Sequence, residues 1–142
     1  MPVYAECAGL MYLARELIVD GVTHTMAGVL DLVVEQRPTP QGHGYELAEV
    51  DRENPFFALG TRLSGHEFHY SKVISGSDRD QTVLSVERGR GVADARDGIV
   101  NGTVWASYLH LHALATPRWA EGFLTMAARH ASMRAGPTVE CV

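Results

Sequence analysis

Between residues 8 and 19 the apolar side chains Leu10, Leu13, Leu17 and Ile18 recur at helical spacing. Residues 2–6 before them read as a short strand. The chain therefore opens as strand, tight turn and helix, with Cys7 at the turn. Residues 24–34 carry Met26, Val29, Leu30, Leu32, Val33 and Val34, a buried strand pair or extended run. Two Pro, one Gln and two Gly make residues 37–44 a loop. Residues 45–50 read as a strand, 51–60 as a turn-rich stretch around Asn54-Pro55, and 62–73 as a strand carrying Phe68 and Tyr70. A polar turn at 75–80 leads to an alternating strand at 82–87. The Gly-rich, charged residues 88–97 are a loop. Asn101-Gly102 joins two short strands, 99–100 and 103–108, with a strong hairpin signal. Residues 117–133 read as a helix, with Thr116 as N-cap, Pro117 in first position, and Trp119, Phe123, Met126 and Ala127 on the apolar face. Trp105, Trp119 and Phe123 are expected in the core.

Many strands with two helices predict a mixed α/β protein, and 142 residues can bury a single core. A nucleophile on the first strand leaves that strand without a neighbour on one side, so the chain reads as a piece of something longer. A net charge of −5 gives no basic face and no support for nucleic-acid binding. No apolar run reaches the roughly 20 residues that span a membrane. The N-terminus lacks the plan of a signal peptide, so a cytoplasmic location is expected. There the two cysteines, Cys7 and Cys141, stay reduced. Cys141 is expected to be inert.

Cys7 lies in Ala5-Glu6-Cys7-Ala8-Gly9, with small residues two positions to either side. A sharp strand-to-helix turn that projects a nucleophile needs small neighbours, because bulky ones collide with its backbone. The helix dipole at such a turn favours thiolate over thiol, and the Ala8 N–H is placed to stabilise an oxyanion. By itself the pattern also fits a buried structural cysteine.

A thiol nucleophile needs a histidine in reach. Of the seven present, His43 and His130 are expected to be solvated and His24 to lie on the surface. Two clusters remain. Ser107-Tyr108-Leu109-His110-Leu111-His112 ends a strand, where α/β sheets collect reactive groups. In Gly65-His66-Glu67-Phe68-His69-Tyr70-Ser71, Glu67 and His69 share one strand face while His66, Phe68 and Tyr70 share the other. These histidine spacings are compatible with zinc, but no Cys-x-x-Cys pair or acidic cluster supports a metal and none is expected.

The run from Pro2 to Leu13 resembles the nucleophile segment of cobyrinic acid a,c-diamide synthases. Residues 65–71 resemble their internal signature, and Asp97-Gly98-Ile99 with Ala106 to His112 resembles their C-terminal histidine segment. The resemblance implies a class I-like glutamine amidotransferase fold: a flavodoxin-like sheet flanked by helices, with its N-terminal part missing. Residues 1–142 would then be the C-terminal portion of that domain. It further implies Cys7 as a nucleophile that forms a thioester with glutamine and His110 as its supporting histidine, with His112 as runner-up. Ala8, Gly9, Glu67, His69 and His112 are expected around the bound substrate. Ala8 stands where the family has Gly, which keeps the N–H. The freed ammonia would amidate acetate carboxylates of a corrin or a related tetrapyrrole such as a sirohaem-like one. ATP and Mg2+ are expected on an N-terminal domain outside this chain, which is itself expected to hold no cofactor. The alternative is a catalytically inactive fragment or assembly module that docks on a separate ATP-binding subunit. An open sheet edge invites a homodimer.

Overall fold

The computed structural model describes residues 1–76 and 81–135. Cys141, and residues 77–80 of the expected polar turn, lie outside the described residues. The elements in chain order are β1 (Val3–Glu6), α1 (Ala8–Leu13), β2 (Glu16–Val19), β3 (Val22–Thr25), β4 (Leu32–Gln36), β5 (Gly42–Val50), β6 (Arg62–His69), β7 (Ser71–Gly76), β8 (Gln81–Arg88), β9 (Arg96–Asn101), β10 (Val104–Ser107), β11 (His110–Leu111) and α2 (Arg118–Ala135).

Seven strands form one sheet in the order β1-β10-β9-β8-β5-β6-β11, and four form a second in the order β3-β2-β4-β7. The α/β expectation holds, with helices on both faces of the large sheet. Most pairings are antiparallel; β1 with β10 and β2 with β4 are parallel. The parallel pair β1–β10 carries the site. Its register sets Glu6 opposite Ser107, and the Cys7 N–H continues the ladder by donating to the Ser107 carbonyl at 2.8 Å.

Because side chains alternate across a strand, β10 feeds two cores. Ala106 joins Ala5, Leu10, Leu13, Leu32 and Val34, packing α1 and the small sheet on one face. Trp105 joins Phe56, Phe57, Leu63 and Leu84 on the other, where Trp119 and Phe123 of α2 pack against it. The expected core aromatics are thus placed as read. The approach of α2 is close: a Cβ at Gly122 would run into the Phe56 carbonyl. Pro117 directly precedes α2, and the Trp119 N–H donates to the Thr116 carbonyl at 3.0 Å.

Three expectations are corrected. The first helix does not run to residue 19: it stops at Leu13, and Ala14 is already extended (ψ 164°). Residues 16–19 are strand β2, turned back by Asp20 (φ 50°) and Gly21 (φ 76°) into β3. An Asp-Gly pair with both φ positive is a favoured hairpin turn, and the run Leu17-Ile18-Val19 suits a strand. The stretch 62–73 is two strands rather than one. It breaks at Tyr70, with β6 in the large sheet and β7 in the small one. Finally, His43 belongs to β5 rather than a loop; its exposed ring meets Phe68 edge-on at 5.3 Å.

Candidate active site

Cys7 has φ 49° and ψ −102°, left-handed backbone that a side chain with a Cβ seldom adopts. Such a conformation costs about 1–3 kcal/mol and persists where its surroundings over-determine it. Here the Cys7 N–H is bonded to Ser107, and the Cys7 carbonyl accepts the first helical bond from Met11 at 3.2 Å. The small residues on either side meet directly: a Cβ added at Gly9 would lie 3.0 Å from Ala5 Cβ. This contact is the physical reason for the Ala5-x-Cys7-x-Gly9 spacing.

The half-buried thiol donates to the Phe68 carbonyl of β6 at 3.8 Å. Burial pushes the Cys7 thiol up from its ordinary value. The Ala8 N–H beside the sulfur partly opposes this, and the Glu6 carboxylate adds to it. The expectation of a thiol activated by the helix is therefore corrected. Desolvation, which disfavours the thiolate, outweighs the Ala8 N–H at the start of the helix. Deprotonation then calls for a base.

His110 lies three residues beyond the end of β10, beside the end of β1 that carries Cys7. β11 adds this segment to the free edge of β6, pairing His110 with His66 and Leu111 with Gly65. The His110 Nδ1–H donates to the His66 carbonyl at 3.1 Å, which leaves Nε2 as the nitrogen able to take a proton. The two imidazoles stack with centroids 4.7 Å apart and planes within 8°. His66 stands in the second histidine cluster of the sequence, but only the β6–β11 pairing brings it to His110.

Asp97 fixes the turn that delivers His110. Fully buried, its carboxylate accepts backbone N–H groups from Gly98 (2.7 Å), Tyr108 (3.1 Å) and Leu109 (2.9 Å). Glu46, also fully buried, lies beside Asp97 and Glu67; burial and these two carboxylates hold its pKa far above the usual range, so it keeps its proton.

Glu67 and His69 share the buried face of β6, as the alternation requires, while His66 and Phe68 are exposed. Glu67 accepts the N–H groups of Arg90 (2.7 Å) and Gly91 (3.1 Å), pinning the loop between β8 and β9. His69 spans the Ser71 carbonyl (2.7 Å) and the Glu67 carboxyl (3.4 Å) and stacks on Tyr108. Tyr108 is bonded in turn to the Ser71 hydroxyl at 2.7 Å. These side chains are thus occupied by protein partners and brace the Tyr108–His110 turn from below. Ala8 is exposed beside the sulfur. His112 is also exposed, and its Nδ1 accepts the Leu114 N–H of its own turn at 3.3 Å. Among the described residues no three His, Cys, Asp or Glu side chains are grouped to hold a metal ion, and no helix is long and apolar enough to cross a membrane.

The CobB/CobQ-like glutamine amidotransferase domain family matches residues 1–118. A cobyrinate a,c-diamide synthase of Magnetococcus marinus is 39% identical over 84% of the chain, and one of Methanothermobacter thermautotrophicus is 38% identical over 86%. In both cases the match spans about a quarter (26%) of the relative's own length. A crystal structure of a glutamine amidotransferase superposes with a TM-score of 0.63 over 89% of this chain and 61% of that one; at 23% identity it bears on the fold. With the family match covering the Cys7 turn and the His110 segment alike, this chain belongs to the CobB/CobQ-like glutamine amidotransferase domain family.

Proposed function

We propose that this chain is the ammonia-releasing portion of a cobyrinate a,c-diamide synthase-like enzyme, with Cys7 as nucleophile and His110 as its base. The observation that carries the reading is the strained corner at Cys7, with the Ala8 N–H beside the sulfur, on the strand parallel and adjacent to the one that leads to His110. Glutamine binds with its side-chain amide at the sulfur. Nε2 of His110 takes the thiol proton, and Sγ attacks the carbonyl carbon. The Ala8 N–H stabilises the developing oxyanion. The C–N bond then breaks, the nitrogen leaves as ammonia with the proton from His110, and water hydrolyses the thioester to glutamate. His110 acts as base again in that second half. The ammonia amidates acetate carboxylates of a tetrapyrrole on an ATP-binding unit, where ATP and Mg2+ supply the activation.

A second reading, a docking module without turnover, draws on the raised thiol and on its bond to Phe68 rather than to His110. One experiment separates the two. Ammonia release from L-glutamine is measured for the chain alone and with a candidate ATP-binding subunit. In parallel, Cys7 is labelled with 6-diazo-5-oxo-L-norleucine and the adduct read by mass spectrometry. The glutaminase reading expects turnover with a single adduct at Cys7, both absent in Cys7→Ala. Turnover that survives Cys7→Ala rejects the assignment, and neither turnover nor adduct in any arm favours the docking module.

A further inference from the structure

We infer that Glu6 is a positioning residue for the Cys7–His110 pair, holding the two side chains in register through its bond to the Leu111 amide. The inference rests on the glutaminase reading above. Glu6 Oε1 accepts the Leu111 N–H at 3.1 Å across 105 positions of sequence. Glu6 immediately precedes the nucleophile, and Leu111 immediately follows the imidazole. Two peptide bonds and this single hydrogen bond therefore link Cys7, through Glu6 and Leu111, to His110. β11 has only two residues, and its ladder partner is β6. Its tie to β1, the strand that ends at the sulfur, is the Glu6 carboxyl. A histidine on a two-residue strand has little backbone of its own to hold it, and a misplacement near 1 Å at a reacting centre costs on the order of a hundredfold in rate.

The charge of Glu6 acts in the opposite sense, since its carboxylate helps to raise the Cys7 thiol. Electrostatics alone therefore makes removal of Glu6 favourable to the thiolate. A loss of turnover on its removal reports geometry, and chemistry allows the two effects to be separated. Gln keeps the length and the acceptor oxygen without the charge. Asp keeps the charge but is one methylene shorter, and Ala keeps neither.

The test measures kcat and KM for glutamine in the full chain, under conditions in which the wild type turns over, for Glu6→Ala, Glu6→Asp and Glu6→Gln with Cys7→Ala as blank. Amide hydrogen exchange at Leu111 is followed in each. The expected result is a fall in kcat of about ten- to a hundredfold in Glu6→Ala and Glu6→Asp, with KM little changed and Leu111 exchange accelerated. Glu6→Gln recovers most of that loss and restores Leu111 protection. If Glu6→Ala does not fold, the order of the Asp and Gln variants decides. Glu6→Asp matching the wild type while Glu6→Gln is impaired overturns the proposal, as does a Glu6→Ala as active as the wild type. Wild-type turnover equal to that of Cys7→Ala marks instead the failure of the glutaminase reading, and removes this inference with it.

Discussion

Cys7 is the residue at which opposing forces are most visible. The parallel register with β10 and the Ala5–Gly9 contact force the backbone into a left-handed corner, which lifts the sulfur out of the strand end. The same packing removes water from the thiol, and desolvation outweighs the nearby Ala8 N–H. The sign is definite: a raised thiol pKa leaves less thiolate at neutral pH. The iodoacetamide alkylation rate of the free enzyme should be low at pH 7 and keep rising past the ordinary thiol value, the half-maximal rate marking the Cys7 pKa. A half-maximum below the ordinary value contradicts the desolvation argument and implies a standing Cys7–His110 ion pair. At this scale the sharp turn at Cys7 was legible, because small residues at fixed offsets around a cysteine are a local property of the chain. The His66–His110 stack was not, since residues 44 apart in sequence meet only when β11 is laid on β6.

Among the elements, the two-residue strand β11 decides whether His110 reaches the site at all. Its approach to β6 is possible because residue 65 is glycine: a Cβ there would run into the His110 carbonyl and crowd Leu109 Cδ1 at 2.8 Å. Gly65→Ala should push β11 away from β6. It is expected to lower glutamine turnover by about a hundredfold, the cost of a shift near 1 Å, while alkylation of Cys7 by iodoacetamide proceeds as in the wild type. Equal loss of both would show that the whole corner had moved. The other elements divide by how local their signals are. The Asn101-Gly102 hairpin follows its turn residues, with Gly102 at φ 57°. The first helix was over-extended because Leu17 and Ile18 continue the 3.6-residue spacing. Only the Asp20-Gly21 turn, and the pairing of β2 with both β3 and β4, reassign them to a sheet.

At the scale of the whole molecule, a buried acid group lies behind the turn that carries His110. Glu46 and Asp97 are fully buried, and both carboxyls are raised by desolvation, Glu46 to about 10 and Asp97 to about 6. A carboxyl whose folded pKa exceeds its unfolded one binds a proton more tightly when folded. Its contribution to stability is complete below the unfolded value near 4.5 and is lost as pH rises toward the folded value. The wild-type melting temperature should therefore decline as pH rises from about 5 through 8. Glu46→Gln, which mimics the protonated acid, should flatten that decline and raise the melting temperature at pH 8. Thermal unfolding followed by circular dichroism at several pH values checks both slopes, and a variant as pH-sensitive as the wild type shows that the proton lies elsewhere.

The amino-acid sequence alone settled the α/β class, the sharp corner at Cys7, the alternation that sets Glu67 and His69 on one face, and the last helix, read over residues 117–133 and found at Arg118–Ala135, because each depends on residues within a few positions of one another. The tertiary structure alone decided that residues 16–19 are a strand, that 62–76 divides between two sheets, and that Glu6, His66 and Asp97 converge on the segment carrying His110. Those outcomes rest on strand pairings across tens of residues. Such pairings are chosen by how the whole chain satisfies its backbone hydrogen bonds and fills its two cores, and no local pattern records that choice.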